Sequence, residues 1–236
     1  MLSRARTSVV LGFVVTLVAA ACGGRSTAPA ASPPAATSTD LGTLQSGDLV
    51  FLDLDCGDLC NAMASVTEEQ FGVSGPALSH VAIVERSATG LSVLEAWPGT
   101  GVARTPLAQV LARKQRSPAR YLRLRDDLRS AGEAATRAAA SRIGTPYDDD
   151  FLPDNGKLYC SELVQEAYHD AFAANGSGTP SPLHTSPMAF GAPGSAARAV
   201  WIHYYGERHI PVPDGVAGIS PLGVYLAARS LQATER

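Results

Sequence analysis

The segments with strand and helix character do not alternate along this chain, and that ordering excludes most architectures. Period-two or continuous apolar patterns occupy residues 48–54, 80–86, 91–97 and 120–125, whereas helical patterns fill 60–71, 106–113, 132–143 and 161–172. A doubly wound sheet needs a crossover helix after each strand. Here two strands meet directly through Ala88-Thr89-Gly90, a hairpin signal. The reading is therefore α+β, with an antiparallel sheet packed against helices.

Punctuation supports these boundaries. Gly47 leads into the first strand, the run from Gly72 to Pro76 breaks the first helix, and Gly144-Thr145-Pro146 ends the Ala-rich one. The helix over 161–172 carries Leu163, Val164, Ala167, Tyr168, Ala171 and Phe172 on one face. The sequence beyond is loop-rich, with one strand expected at 199–205. With 236 residues, 45% of them hydrophobic, the chain can fill one core of ordinary size. Its formal net charge of -3 gives no basic field for nucleic acid. Sparse aromatics, four cysteines and the lack of a fixed repeat exclude coiled coil, collagen and disulfide-dense scaffolds.

The first 21 residues read as an export signal: Arg4 and Arg6, an apolar run over 9–18, then Ala19-Ala20-Ala21. That run is too short for a permanent span. Cys22 follows directly, as in the lipobox of bacterial lipoproteins, although Ala19 stands where those usually carry Leu. Cleavage before Cys22 with lipidation of its thiol is expected; plain secretion with a free Cys22 is the alternative. Residues 22–40, rich in Ala, Pro and Ser, read as a solvated tether, and 41–236 as a single domain. Localisation at the cell envelope as a membrane-anchored lipoprotein follows.

Cys160 stands alone, at the junction from a loop into the amphipathic helix, where unpaired N–H groups and the dipole favour a thiolate. A buried apolar thiol is the competing reading. A nucleophile needs a base and the base an orienting group. His80 opens a strand, and Glu95 interrupts an apolar run on the paired strand. A hairpin centred between Ala88 and Thr89 sets Ala82 opposite Glu95 and Trp97 opposite His80. All four then share a face, with Glu95 diagonal to His80 and within side-chain reach. His169 lies nine positions beyond Cys160 on one helix, about 13 Å along its axis, too far to touch it.

In order, Gly47-Asp48-Leu49-Val50-Phe51, Ser79-His80-Val81-Ala82-Ile83-Val84, Val93-Leu94-Glu95-Ala96, Gly144-Thr145-Pro146-Tyr147-Asp148 and Tyr159-Cys160-Ser161-Glu162-Leu163 resemble the circularly permuted papain-like cysteine hydrolases. The likeness is to the YiiX/YebB-like branch of the NlpC superfamily and covers roughly residues 47–165. Ordinary NlpC enzymes run Cys, His, polar residue; this chain runs His, Glu, Cys, as permutation would give. The resemblance implies Cys160 as nucleophile, His80 as general base and later acid, and Glu95 as orienter of the imidazole. Tyr159 matches a tyrosine common in that branch and is expected to support an oxyanion donor such as the Cys160 N–H.

The expected chemistry is cleavage of an amide or ester through an acyl-thioester, without a cofactor. Transfer to an acceptor other than water, and a non-catalytic envelope-binding module, are the competing functions. Peptidoglycan-derived peptides, acylated amino acids and lipid-linked substrates all suit the envelope, the membrane being a partner only through the N-terminal lipid and the protein a monomer. Cys56 and Cys60 are expected as a disulfide rather than a metal site, because the envelope is oxidising. Asp148, Asp149, Asp150 and Asp154 lack the liganding rhythm of a calcium loop and read as a solvated loop.

Overall fold

The sequence LVFLDL at Leu49–Leu54 (β1) is buried at every position, as a strand covered on both faces must be. The computed structural model describes residues 41–74, 76–174 and 179–232. Beside β1 lie β2 (His80–Ser87), β3 (Gly90–Trp97), β4 (Gly101–Pro106) and β5 (Gln115–Leu122), in the order β4-β3-β2-β1-β5. Every pairing in this sheet is antiparallel. The hairpin register expected from its turn is observed from Ile83 opposite Leu94 to Ser87 opposite Gly90.

Alternation along the strands separates two cores. Leu49, Phe51, Val81, Ile83, Leu94 and Ala96 point to one side, where α3 (Arg129–Ala140) and α4 (Cys160–Ala174) supply Ala135, Ala139, Leu163 and Ala167. Val50, Leu52, Ala82, Val84 and Val93 point to the other, against Cys60 of α1 (Asp58–Phe71) and Leu107 and Val110 of α2 (Leu107–Leu111). Entry into β1 needs a glycine. Gly47 has φ 90°, and a Cβ there would collide with the Gly132 backbone of α3.

Three expectations need correction. Residues 199–205 are not a strand; they lie within α5 (Ala196–Glu207), whose Ser195 cap accepts the Arg198 N–H. The Val-Trp-Ile-His-Tyr-Tyr composition favours strand, but Trp201 and Tyr205, four apart, are buried on one helical face. The fifth strand begins earlier than residue 120, because Leu54 at the far end of β1 pairs with Gln115. The region after residue 172 is more ordered than its loop-like composition suggests: besides α5 it holds β6 (Ser186–Pro187) paired with β7 (Ala217–Gly218), and α6 (Pro221–Ala228).

Candidate active site

Cys160 is the first residue of α4 and His80 the first of β2, so the helix start meets the end of the central hairpin. Both side chains are buried, at 5% and 3% exposure. The His80 ring, the Val81 N–H and the Ser161 side chain stand close enough to the Cys160 sulfur to favour its charged form. His80 Nε2 lies 2.7 Å from Glu95 Oε2, which leaves Nδ1 as the ring nitrogen for the thiol. Trp97 stands edge-on to the imidazole at 5.2 Å and 87°. The structure thus joins the three residues that sequence spacing had placed on separate segments.

The charges of this row are coupled. Burial alone drives the His80 pKa down, but hydrogen bonds and charge from Cys160 and Glu95 outweigh it and raise it to about 9. Burial drives the Cys160 thiol up, and its hydrogen bond and attraction to His80 bring it below its ordinary value. Burial also pushes Glu95 up, yet Arg113 and then His80 hold it at about 2. The arrangement favours a thiolate–imidazolium pair, the reactive form of a cysteine nucleophile.

A model of the permuted papain-like amidase enzymes, the YaeF/YiiX C92 family, matches residues 43–205. The chain belongs to that family. It is accordingly a cysteine hydrolase of the amidase and peptidase class. Among solved structures, yiiX from Escherichia coli O157:H7, described as a metalloprotein, is similar with TM-score 0.59 and 21% identity. The match covers 77% of this chain and 92% of that one, and at this identity it concerns the fold. No curated protein sequence matches. The donor set here does not fit a metal: among the described residues no three His, Cys, Asp or Glu side chains gather as ligands. Cys56 and Cys60 are bonded to each other as a disulfide, with Cα atoms 5.5 Å apart.

Within this amidase fold both neighbours of Cys160 reach the C-terminal segment. The Tyr159 hydroxyl accepts the Ile219 N–H at 3.1 Å, while Ser161 Oγ donates to the Ile219 carbonyl at 2.6 Å. The two neighbours of Cys160 therefore clamp one residue of the C-terminal segment, and the Tyr159 hydroxyl, an acceptor in this bond, keeps its own proton. Tyr147 lines the cavity beside Cys160 together with Tyr159, and burial and the neighbouring thiolate hold the Tyr147 phenol neutral. Its loop is stitched to β4 by Val102 N–H to Thr145 O and Gly144 N–H to Val102 O. Cys22 lies outside the described residues.

Cys160 lines a partly open cavity. The walls are almost wholly apolar: Met63 and Phe71 from α1, Phe151, Met188, Phe190 and Trp201. Three of these six come from beyond residue 172. Gln70 of α1 reaches the Pro187 carbonyl at 2.9 Å and so ties the two halves of the wall together. This chamber was not legible in the sequence, because its lining is gathered from segments more than a hundred residues apart.

Proposed function

We propose that this amidase is an envelope lipoprotein that hydrolyses long-chain acyl amides, N-acylated amino acids being the simplest class, through Cys160, His80 and Glu95. The observation that carries the substrate class is the apolar chamber against the nucleophile. A peptidoglycan stem is rich in charged and polar groups and would enter it unpaired, whereas an alkyl chain gains free energy there. In the proposed reaction the Cys160 thiolate attacks the amide carbonyl. The Cys160 N–H and the neutral Tyr147 hydroxyl support the resulting oxyanion. His80 then protonates the leaving amine, and the acyl group remains as a thioester. Water, deprotonated by His80, releases the fatty acid and restores the thiol.

Each buried methylene adds about 0.8 kcal/mol, so kcat/KM is expected to rise roughly fourfold per methylene until the chamber is filled. A series of N-acyl amino acids from acetyl to palmitoyl, run beside muropeptides and followed by mass spectrometry, tests this. Met188→Trp, which fills the chamber, should lower kcat/KM for the long chains at least tenfold and spare the short ones. Cleavage of muropeptides with no turnover of any acyl amide would overturn the assignment.

The anchor rests on the signal and Cys22. Cys22→Ser is expected to move the protein from the membrane to the soluble fraction, measured by fractionation and intact mass. A mature N-terminus without added lipid in the parent protein would contradict it.

A further inference from the structure

The buried row does not end at Glu95. Arg113, two residues past the end of α2, donates through Nη1 to Glu95 Oε2 at 2.7 Å and through Nη2 to Oε1 at 2.6 Å. Its guanidinium carbon also sits 3.6 Å above the Trp97 ring, the same indole whose edge meets His80. The arginine is thus fixed by a planar fork on one side and an aromatic face on the other. Glu95 has no exposed surface, and the Arg113 side chain is only 20% exposed.

We propose that Arg113 is a positioning residue of the reaction, acting through Glu95 to balance the charge of the buried thiolate–imidazolium pair. Thiolate, imidazolium, carboxylate and guanidinium alternate in sign, and with Arg113 the row is neutral. Without it the same groups carry one net negative charge in a buried site. Every neighbouring group then binds protons more readily, and the thiolate forms only at higher pH. The inference rests on the Cys160–His80–Glu95 reading above.

Other groups face this row. Thr105 of β4 stands near Glu95 and helps to hold its carboxyl ionised. Tyr147 and Tyr159 stand beside Cys160, both pushed up by burial and neutral throughout the range concerned. Glu162, two residues past the nucleophile, is pushed up to about 8 by burial and titrates within that range. All are common to the parent and the variants, so a difference between those proteins isolates Arg113.

The test is the pH dependence of Cys160 alkylation by iodoacetamide, read on the Cys160 peptide by mass spectrometry, which needs no substrate. In Arg113→Met the acid limb should move up by about one pH unit or more, a tenfold slower reaction on that limb. Arg113→Lys keeps the charge and loses the fork. Its limb should stay near the parent's while kcat falls and KM holds. In a Glu95→Gln background no buried carboxylate is orphaned, so folding is protected, and because Arg113 acts through that carboxylate, adding Arg113→Met there should move the limb far less than in the parent. A limb that stays in place in a folded Arg113→Met protein, that moves as far in the Glu95→Gln background as in the parent, or that moves as far in Arg113→Lys as in Arg113→Met, overturns the proposal. A parent thiol without enhanced reactivity at neutral pH would instead overturn the triad on which it rests.

Discussion

Cys160→Ala is expected to lower amide hydrolysis by about 10⁴-fold or more, because it removes the atom proposed to form the acyl intermediate. The fold should survive. Cys160 is small and sits at the helix start, and alanine keeps the Leu163 N–H to Tyr159 O bond of the first turn. Cys160→Ser should be nearly as inactive: a hydroxyl is far less acidic than a thiol, so the same His80 that holds a thiolate cannot hold an alkoxide. Circular dichroism and turnover, measured together, check this. Near-parent turnover in Cys160→Ser with an intact fold would remove the nucleophile from the account.

His80→Ala is expected to cost about 10³-fold or more, since the thiol loses its counter-ion and the leaving amine its proton donor. Glu95 keeps its fork from Arg113, so no buried charge is orphaned. The pH behaviour carries a clear sign. His80 is raised from 6.5 to about 9, so its contribution to stability is complete below pH 6.5 and is lost as pH rises through 9. Glu95 is depressed from 4.5 to about 2, so its contribution is present above pH 4.5 and is lost as pH falls through 2. Activity of the parent should fall on the alkaline side near pH 9 as the imidazolium is lost. In His80→Ala that limb should vanish, and the decline of Tm between pH 6.5 and 9 should flatten. A Tm profile identical to the parent's would show that His80 is not held as an imidazolium.

How far the sequence reached depends on whether a contact is local or long-range. The β2–β3 register was legible because a short turn fixes which residues face each other. His80 and Glu95 then followed from alternation, whereas the missing strand had no such signal. β4, with Arg104 and Thr105 in an edge position, lacks a run of apolar residues to announce it. The helix α5 is hidden by β-favouring residues, although the Ser195 cap and the Trp201–Tyr205 spacing are signals that could have found it. Likewise Ser220-Pro221 is a helix-start signal for α6. Arg113 left none: it reaches Glu95 across eighteen residues, and only the short α2 helix and the turn after it bring the two together. The chamber wall depends on pairings such as Gln70 with Pro187, which no periodicity encodes.

The central claim is that Cys160 carries the acyl group of a long-chain amide. Intact-mass measurement after rapid acid quench, with an N-palmitoyl amino acid as substrate, tests it directly. The account predicts a transient mass increase equal to one acyl group, mapped to Cys160, released by hydroxylamine and absent from Cys160→Ala. Hydrolysis of the same substrate at the parent rate by Cys160→Ala, with no acyl adduct on the parent protein, would contradict it.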